Sequence, residues 1–220
     1  MGRCCAIWRN VARSTSVVQP VDDDPECGGA VVENVRYPMF VVHASALMLM
    51  TRIETHQALR RKGVAIELPP GAYDRAIFVS HQWCGRYHPD PQGAQLRVLK
   101  NVMQRMADNT LKIEANFVSA FFFGMKQSSY AVDFQGIGSW FVWYDYFSAP
   151  QPAAPQAEVS LHTDLETDLG KAIASLATYI ERCRWFFVLA PTVPHEEGHL
   201  TDYNTWKSRG WCRFERLARV

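Results

Sequence analysis

Arg184-Trp185-Phe186-Phe187-Val188-Leu189-Ala190 (184–190) is the stretch that decides the fold. Its apolar residues run together without alternation and are bounded by Arg184 and Pro191. Such a short continuous run reads as a strand buried on both faces, the kind found inside a sheet that helices cover on two sides. Two more stretches have the same character, Ala76-Ile77-Phe78-Val79 and Trp140-Phe141-Val142-Trp143-Tyr144.

Helical patterns lie between and after these runs. Asp90-Pro91 supplies a cap and a first-turn proline, followed by a single apolar stripe of Leu96, Leu99, Val102, Met103 and Met106. Thr163-Asp164-Leu165-Glu166 reads as a capping box opening a helix striped by Leu165, Leu169, Ile173, Leu176 and Ile180. A last helix is predicted from about Ser208. The order strand–helix–strand–helix–strand–helix predicts an α/β fold with a parallel sheet and flanking helices.

Towards the N-terminus the pattern changes. Pro69-Pro70-Gly71 marks a boundary, so the α/β domain is expected over 71–220. Residues 39–70 are predicted as a helical extension, with a helix over 41–62 carrying Ala44, Leu47, Met48, Ile53 and Leu59 on one period. Residues 1–38, punctuated by Asp22-Asp23-Asp24-Pro25 and Gly28-Gly29, read as loosely structured. Residues 110–139 read as an insertion carrying a short helix.

Composition narrows the classes of partner. The 220 residues include 23 basic and 22 acidic side chains for a net charge of +1, so no charge bias points to nucleic acid. The hydrophobic content of 48% is enough for one cored domain with an appendage. The six cysteines form no CxxC pair and fit neither a zinc module nor a disulfide framework, which predicts free thiols in a reducing, cytoplasmic compartment. Met39 to Met50, the most apolar stretch, is too short to span a bilayer. Met1-Gly2-Arg3-Cys4-Cys5-Ala6 is a candidate lipid anchor on the inner membrane face, with Gly2 for a myristoyl chain and Cys4 and Cys5 for palmitoyl chains. Ala6 departs from the Ser or Thr of that motif, and an ordinary N-terminus is the alternative.

Ligands of open α/β sheets bind beyond the carboxyl ends of the strands. The residues there are Ser80-His81-Gln82-Trp83, then Asp145-Tyr146-Phe147-Ser148, then Pro191-Thr192. On the last helix, Trp211 and Cys212 precede Glu215 by four and three positions and so neighbour it on the helix surface. A Trp beside a carboxylate suits a flat cationic group such as nicotinamide. The plain alternative is a solvated Glu215 paired with Arg216 or Arg219.

Several of these segments carry a resemblance. Phe78-Val79-Ser80 resembles the first-strand box of the TIR (Toll/interleukin receptor) family, and Trp211-Cys212-Arg213-Phe214-Glu215-Arg216-Leu217 is similar to its W-C-x-x-E-L motif. The helix from 164 to 183 running into Phe186-Phe187-Val188-Leu189-Ala190-Pro191 resembles the TIR segment in which a helix feeds a strand. Val142-Trp143-Tyr144-Asp145-Tyr146 with Pro150-Gln151 resembles the related heterokaryon-incompatibility domain. Together with His88-Pro89-Asp90-Pro91 and Gln95-Leu96, the set looks like a TIR-like group of eukaryotic microbes. The resemblance covers roughly residues 75–220. It implies a flavodoxin-like sheet, incomplete at the C-terminus, and either cleavage of the nicotinamide–ribose bond of NAD or signalling by self-association. NAD would then be substrate, with no cofactor. Glu215 aligns with the catalytic Glu of the enzymatic members. Ser80, His81, Gln82, Trp83, Asp145 and Trp211 are expected around the nucleotide, Trp83 and Trp211 as stacking partners and Asp145 as a second polar group.

His195-Glu196-Glu197-Gly198-His199 matches H-E-x-x-H, whose two His share one face of a helix in zinc enzymes. Here Pro194 precedes it and Gly198 interrupts it, so a loop is predicted and no metal is assigned. Zinc hydrolysis through this segment, with Glu215 as third ligand, is the remote alternative. A Cys84 dyad with His81 or His88 is weaker still.

Overall fold

A computed structural model describes residues 3–8, 17–21, 35–111, 114–115, 136–152 and 166–218, with side chains for all but 3–8, 17–21 and 114–115. The strands are β1 (Arg3–Trp8), β2 (Val17–Val21), β3 (Phe40–His43), β4 (Ala65–Glu67), β5 (Ala76–His81), β6 (Glu114–Ala115), β7 (Phe141–Trp143), β8 (Trp185–Leu189), β9 (Val193–Pro194) and β10 (Leu200–Thr201). The α-helices are α1 (Ala44–Leu49), α2 (His56–Arg61), α3 (Ala94–Ala107), α4 (Asp145–Ser148), α5 (Asp168–Ala174), α6 (Leu176–Arg182), α7 (Tyr203–Ser208) and α8 (Gly210–Leu217).

The three apolar runs are the strands β5, β7 and β8, and every residue in them is buried. They lie side by side in the order β7-β5-β8, parallel throughout. The first strand of the set therefore sits between the second and the third. An order of this kind leaves a crevice at the carboxyl ends where neighbouring connections diverge, here between β5 and β8.

Alternating side chains of each strand feed two cores. Ile77, Val79, Val142, Trp185, Phe187 and Leu189 pack with the α3 stripe on one face. Phe78, Phe141, Trp143, Phe186 and Val188 pack with Leu176, Tyr179 and Ile180 of α6, Trp206 of α7 and Cys212 of α8 on the other. The fold is thus α/β with helices on both faces, an arrangement compatible with a flavodoxin-like sheet.

The sheet is mixed rather than wholly parallel. Beyond β7, β3 pairs antiparallel with β7 and with β4. Phe40-Val41-Val42 is thus a strand where a helix was expected, and 39–70 joins the sheet instead of standing apart as a helical extension. The helical period was genuine only from Ala44 onward, where Ala44 and Leu47 of α1 meet the core. Preceding it, a β-branched pair beside an aromatic favours the pleated conformation. At the level of backbone pairing, β1 runs parallel to β8 and antiparallel to β2, and β2 parallel to β6, so 3–8 and 17–21 are strands within the segment expected to be loose.

Three further expectations shift. The α3 stripe is buried as predicted, but the helix opens at Gly93 (φ 66°) rather than at Pro91. Asp90 still caps it, its carboxylate accepting from the Leu96 amide at 2.8 Å. Thr163 and Leu165 lie outside the described residues; the observed cap is Thr167, which accepts from Gly170 at 3.0 Å. The helix then breaks at Ser175, whose hydroxyl donates to the Lys171 carbonyl and accepts from the amides of Arg36 and Tyr37. Of 110–139, where a short helix was expected, residues 112–113 and 116–135 lie outside the described residues, while Ile137–Ser139 form one 3-10 turn; Gly2 also lies outside, and Cys4 and Cys5 are described as backbone alone. Among the described residues, no helix is long and apolar enough to cross a membrane.

Candidate functional site

The last two residues of β5 point to opposite faces of the sheet, as pleating requires. Ser80 faces α7 and α8. Its hydroxyl donates to Glu215 Oε2 at 2.5 Å and accepts from Trp206 Nε1 at 3.0 Å. Local sequence explains why these helices present those side chains. Asp202 caps α7 by accepting from the amides of Asn204 and Thr205, while Thr205 Oγ1 accepts from the Asp202 amide, a reciprocal capping box. Arg209 then adopts an extended conformation, and α8 restarts at Gly210. The single helix expected from Ser208 is therefore preceded by a separate one. The restart turns Cys212 and Glu215 towards the sheet and leaves Trp211, Phe214 and Leu217 exposed.

Glu215 is 9% exposed, which removes the solvated alternative with Arg216 or Arg219. Burial pushes its carboxyl group up to about 8; the Ser80 hydroxyl opposes this by bonding the charged form, and the charge of Asp145 adds to it. At neutral pH most molecules therefore hold Glu215 protonated. Beside it, the Cys212 thiol donates to the His81 carbonyl at 3.4 Å and burial drives it up to about 12, so it is no nucleophile.

His81 faces the other way. Its ring stacks on Tyr144 at 3.8 Å between centroids, and its Nε2 lies 3.3 Å from Asp145 Oδ1. Asp145 Oδ2 accepts from Trp83 Nε1 at 2.8 Å, and Trp83 meets Tyr146 edge-on. Burial lowers the His81 pKa against the opposing pull of Asp145, which favours the neutral ring. The approach of Nε2 to Oδ1 is out of line for a hydrogen bond. Both atoms, and the Tyr144 hydroxyl, are buried without a hydrogen-bond partner. Buried polar atoms are ordinarily satisfied, and here His81 Nε2 and Asp145 Oδ1 have only each other's company at the strand end.

Of the expected residues, Ser80 and Glu215 come together on one face of the β5 end, and His81, Trp83 and Asp145 on the other. Gln82 is engaged elsewhere: its amide donates to the Asp202 carbonyl at 3.0 Å and to Thr205 Oγ1 at 2.9 Å, holding the start of α7. Trp211, 57% exposed on the outer side of α8, touches Phe214 edge-on and does not line the Ser80–Glu215 pair. Sequence reasoning missed Trp206 and Tyr144. Asp202 and Thr205, spaced as a cap and its reciprocal partner, were the signal for a helix carrying Trp206.

The H-E-x-x-H segment is not helical. β9 and β10 pair antiparallel, with Gly198 at φ 86° in the turn between them. Cys84 forms no dyad: its sulfur lies 2.8 Å from Gln95 Nε2 and 3.6 Å from Thr201 Oγ1, and burial raises its pKa. The His88 ring bonds the Ile53 carbonyl and the Asp90 amide. The chain matches no protein-family model, no curated protein and no solved structure.

Proposed function

We propose that the chain is a TIR-like domain that cleaves the N-glycosidic bond of NAD or a related nucleotide, with Glu215 as the central carboxyl group. The observation that carries this is the Ser80–Glu215 hydrogen bond at the carboxyl end of β5, next to β8, at the strand edge where ligands of open α/β sheets bind. Departure of nicotinamide leaves an oxocarbenium-like ribose, a species that glycosidases stabilise with a carboxylate. In a nine-tenths buried setting a single anion stabilises such a cation strongly. A positively charged nicotinamide ring arriving beside Glu215 favours the ionised form and displaces its proton. Water or another group of the nucleotide then attacks the ribose. On the far side of the same strand end, Asp145 lies between Trp83 and His81 and offers a second polar group. Reaching Glu215 requires an outward shift of α8, which joins α7 through one extended residue, Arg209.

The test is nicotinamide release from NAD by the full chain against Glu215→Ala. Release by the parent and loss of at least a hundredfold in the variant is the expected result. Equal rates would remove Glu215 from the mechanism.

A second reading, a non-catalytic TIR-like module that signals by self-association, has its own support. Trp211, Phe214 and Leu217 recur at three-residue intervals on the outer side of α8 and are all exposed. Exposed apolar stripes of this kind mark contact surfaces. Concentration-dependent assembly that Trp211→Ala and Phe214→Ala abolish, with no nicotinamide release in the assembled parent, would favour it. For the candidate lipid anchor, the intact mass of chain made in eukaryotic cells reports whether Gly2 is acylated.

A further inference from the structure

We propose that His195, Glu197 and His199 bind one divalent transition ion, zinc foremost, at the tip of the β9–β10 hairpin. The sequence motif suggested a catalytic helix; the fold builds something different from the same residues. The His195 amide donates to the His199 carbonyl at 2.8 Å, so the two histidines extend the β9–β10 ladder as cross-strand neighbours. Their rings lie face to face, 4.3 Å between centroids and 18° from parallel. Glu197, in the turn, brings Oε2 to 3.8 Å from His195 Nδ1, which accepts from the Glu197 amide at 3.1 Å and so leaves Nε2 as the nitrogen for an ion. One ligand atom from each of the three residues lies within 4.8 Å of the others.

Two imidazoles and a carboxylate are a set that zinc, nickel and copper accept and that magnesium and calcium do not prefer. Tetrahedral zinc places ligand atoms about 3.3–3.5 Å apart, so the side chains close in by roughly an ångström. Glu197 and His199 are exposed, so they can change rotamer to close on His195, whose side chain is mostly buried and stays in place. Three protein ligands leave the fourth position to water.

Glu196, the residue that would act as general base in a zinc protease, is turned the opposite way. Its amide donates to the Cys84 carbonyl at 2.8 Å, and its carboxylate accepts from the Arg86 amide. The hairpin is thereby tied to the loop after β5, and β10 leads directly into Asp202 and the cap of α7. An ion at the tip closes the free end of a hairpin whose other end positions Trp206 and, through it, Ser80. The site is therefore a structural clamp next to the β5 edge and not a hydrolytic centre.

Zinc titrated calorimetrically into the metal-free full chain is expected to bind once per molecule with a dissociation constant in the micromolar range. His195→Ala and His199→Ala are each expected to weaken binding at least tenfold. The melting temperature of the parent should rise with roughly 100 µM zinc, and that of the two variants should not. In chelator His199→Ala should melt near the parent, since His199 is exposed, and His43→Ala should leave zinc affinity unchanged. No heat and no melting shift in the parent would overturn the proposal. So would affinity that survives the double variant His195→Ala/His199→Ala, which would place the ion on other residues.

Discussion

Glu215 sits where the fold opposes its own charge, and this has a thermodynamic signature. A carboxyl group raised from about 4.5 to about 8 binds its proton more tightly folded than unfolded. Its contribution to stability is complete below pH 4.5, falls as pH rises towards 8, and is gone above that. Glu215→Gln keeps a neutral side chain of the same shape. The variant is expected to melt with the parent near pH 5 and clearly above it at pH 9; equal melting temperatures at pH 9 would show that the carboxylate is not buried at a cost. If the ionised form is the reactive one, kcat/KM for NAD rises about tenfold per pH unit below 8 and levels off above it. Gly85 offers a second residue-scale test. A Cβ there would lie 2.5 Å from Glu196 Oε2, 2.6 Å from Pro91 Cγ and 3.0 Å from the His88 carbonyl. Gly85→Ala is expected to destabilise the chain by about 1–3 kcal/mol in a denaturant titration, through the clash of the hairpin against the 84–91 loop.

Among the elements, α7 positions several site residues with only about one and a half turns of helix. It spans Tyr203–Ser208, too short to hold itself by propensity, and depends on its cap. Asp202→Ala removes the acceptor for two amides and is expected to cost about 1 kcal/mol, measured by urea unfolding. An unchanged unfolding midpoint would mean that Gln82, which grips the same turn, suffices alone. Elements also show where sequence reading succeeds and fails. The α3 stripe was legible because its apolar positions follow one helical period and all meet one core. β3 was not, because its residues run into α1 without a break and the combined stretch mimics a longer helix. The extended Arg209, just inside the helix expected from Ser208, was hidden for a similar reason: it carries no mark of a break, and its conformation comes from where α7 and α8 each pack.

At the scale of the whole molecule, every residue of the parallel trio β7-β5-β8 is buried, and β5 is hydrogen-bonded on both sides. Hydrogen exchange should therefore be slowest at the amides of β5 and β8 and faster in β4 at the edge of the order β4-β3-β7-β5-β8. Uniform exchange across these strands would contradict a single cooperative core. The sequence by itself determined that core, because an unbroken run such as Trp185-Phe186-Phe187-Val188-Leu189 has one low-energy outcome, burial on both faces. It also determined which strand ends carry Ser80, His81 and Asp145. Only the tertiary structure decided what those residues meet. Ser80 and Glu215 are 135 residues apart in the chain, and the burial that keeps Glu215 protonated is created by helices and strands from both sides of that gap. The turn of Trp211 away from the site and the meeting of His195 with His199 across a hairpin are decided likewise. Charge state and neighbours follow from packing at a distance, which no local pattern of residues encodes.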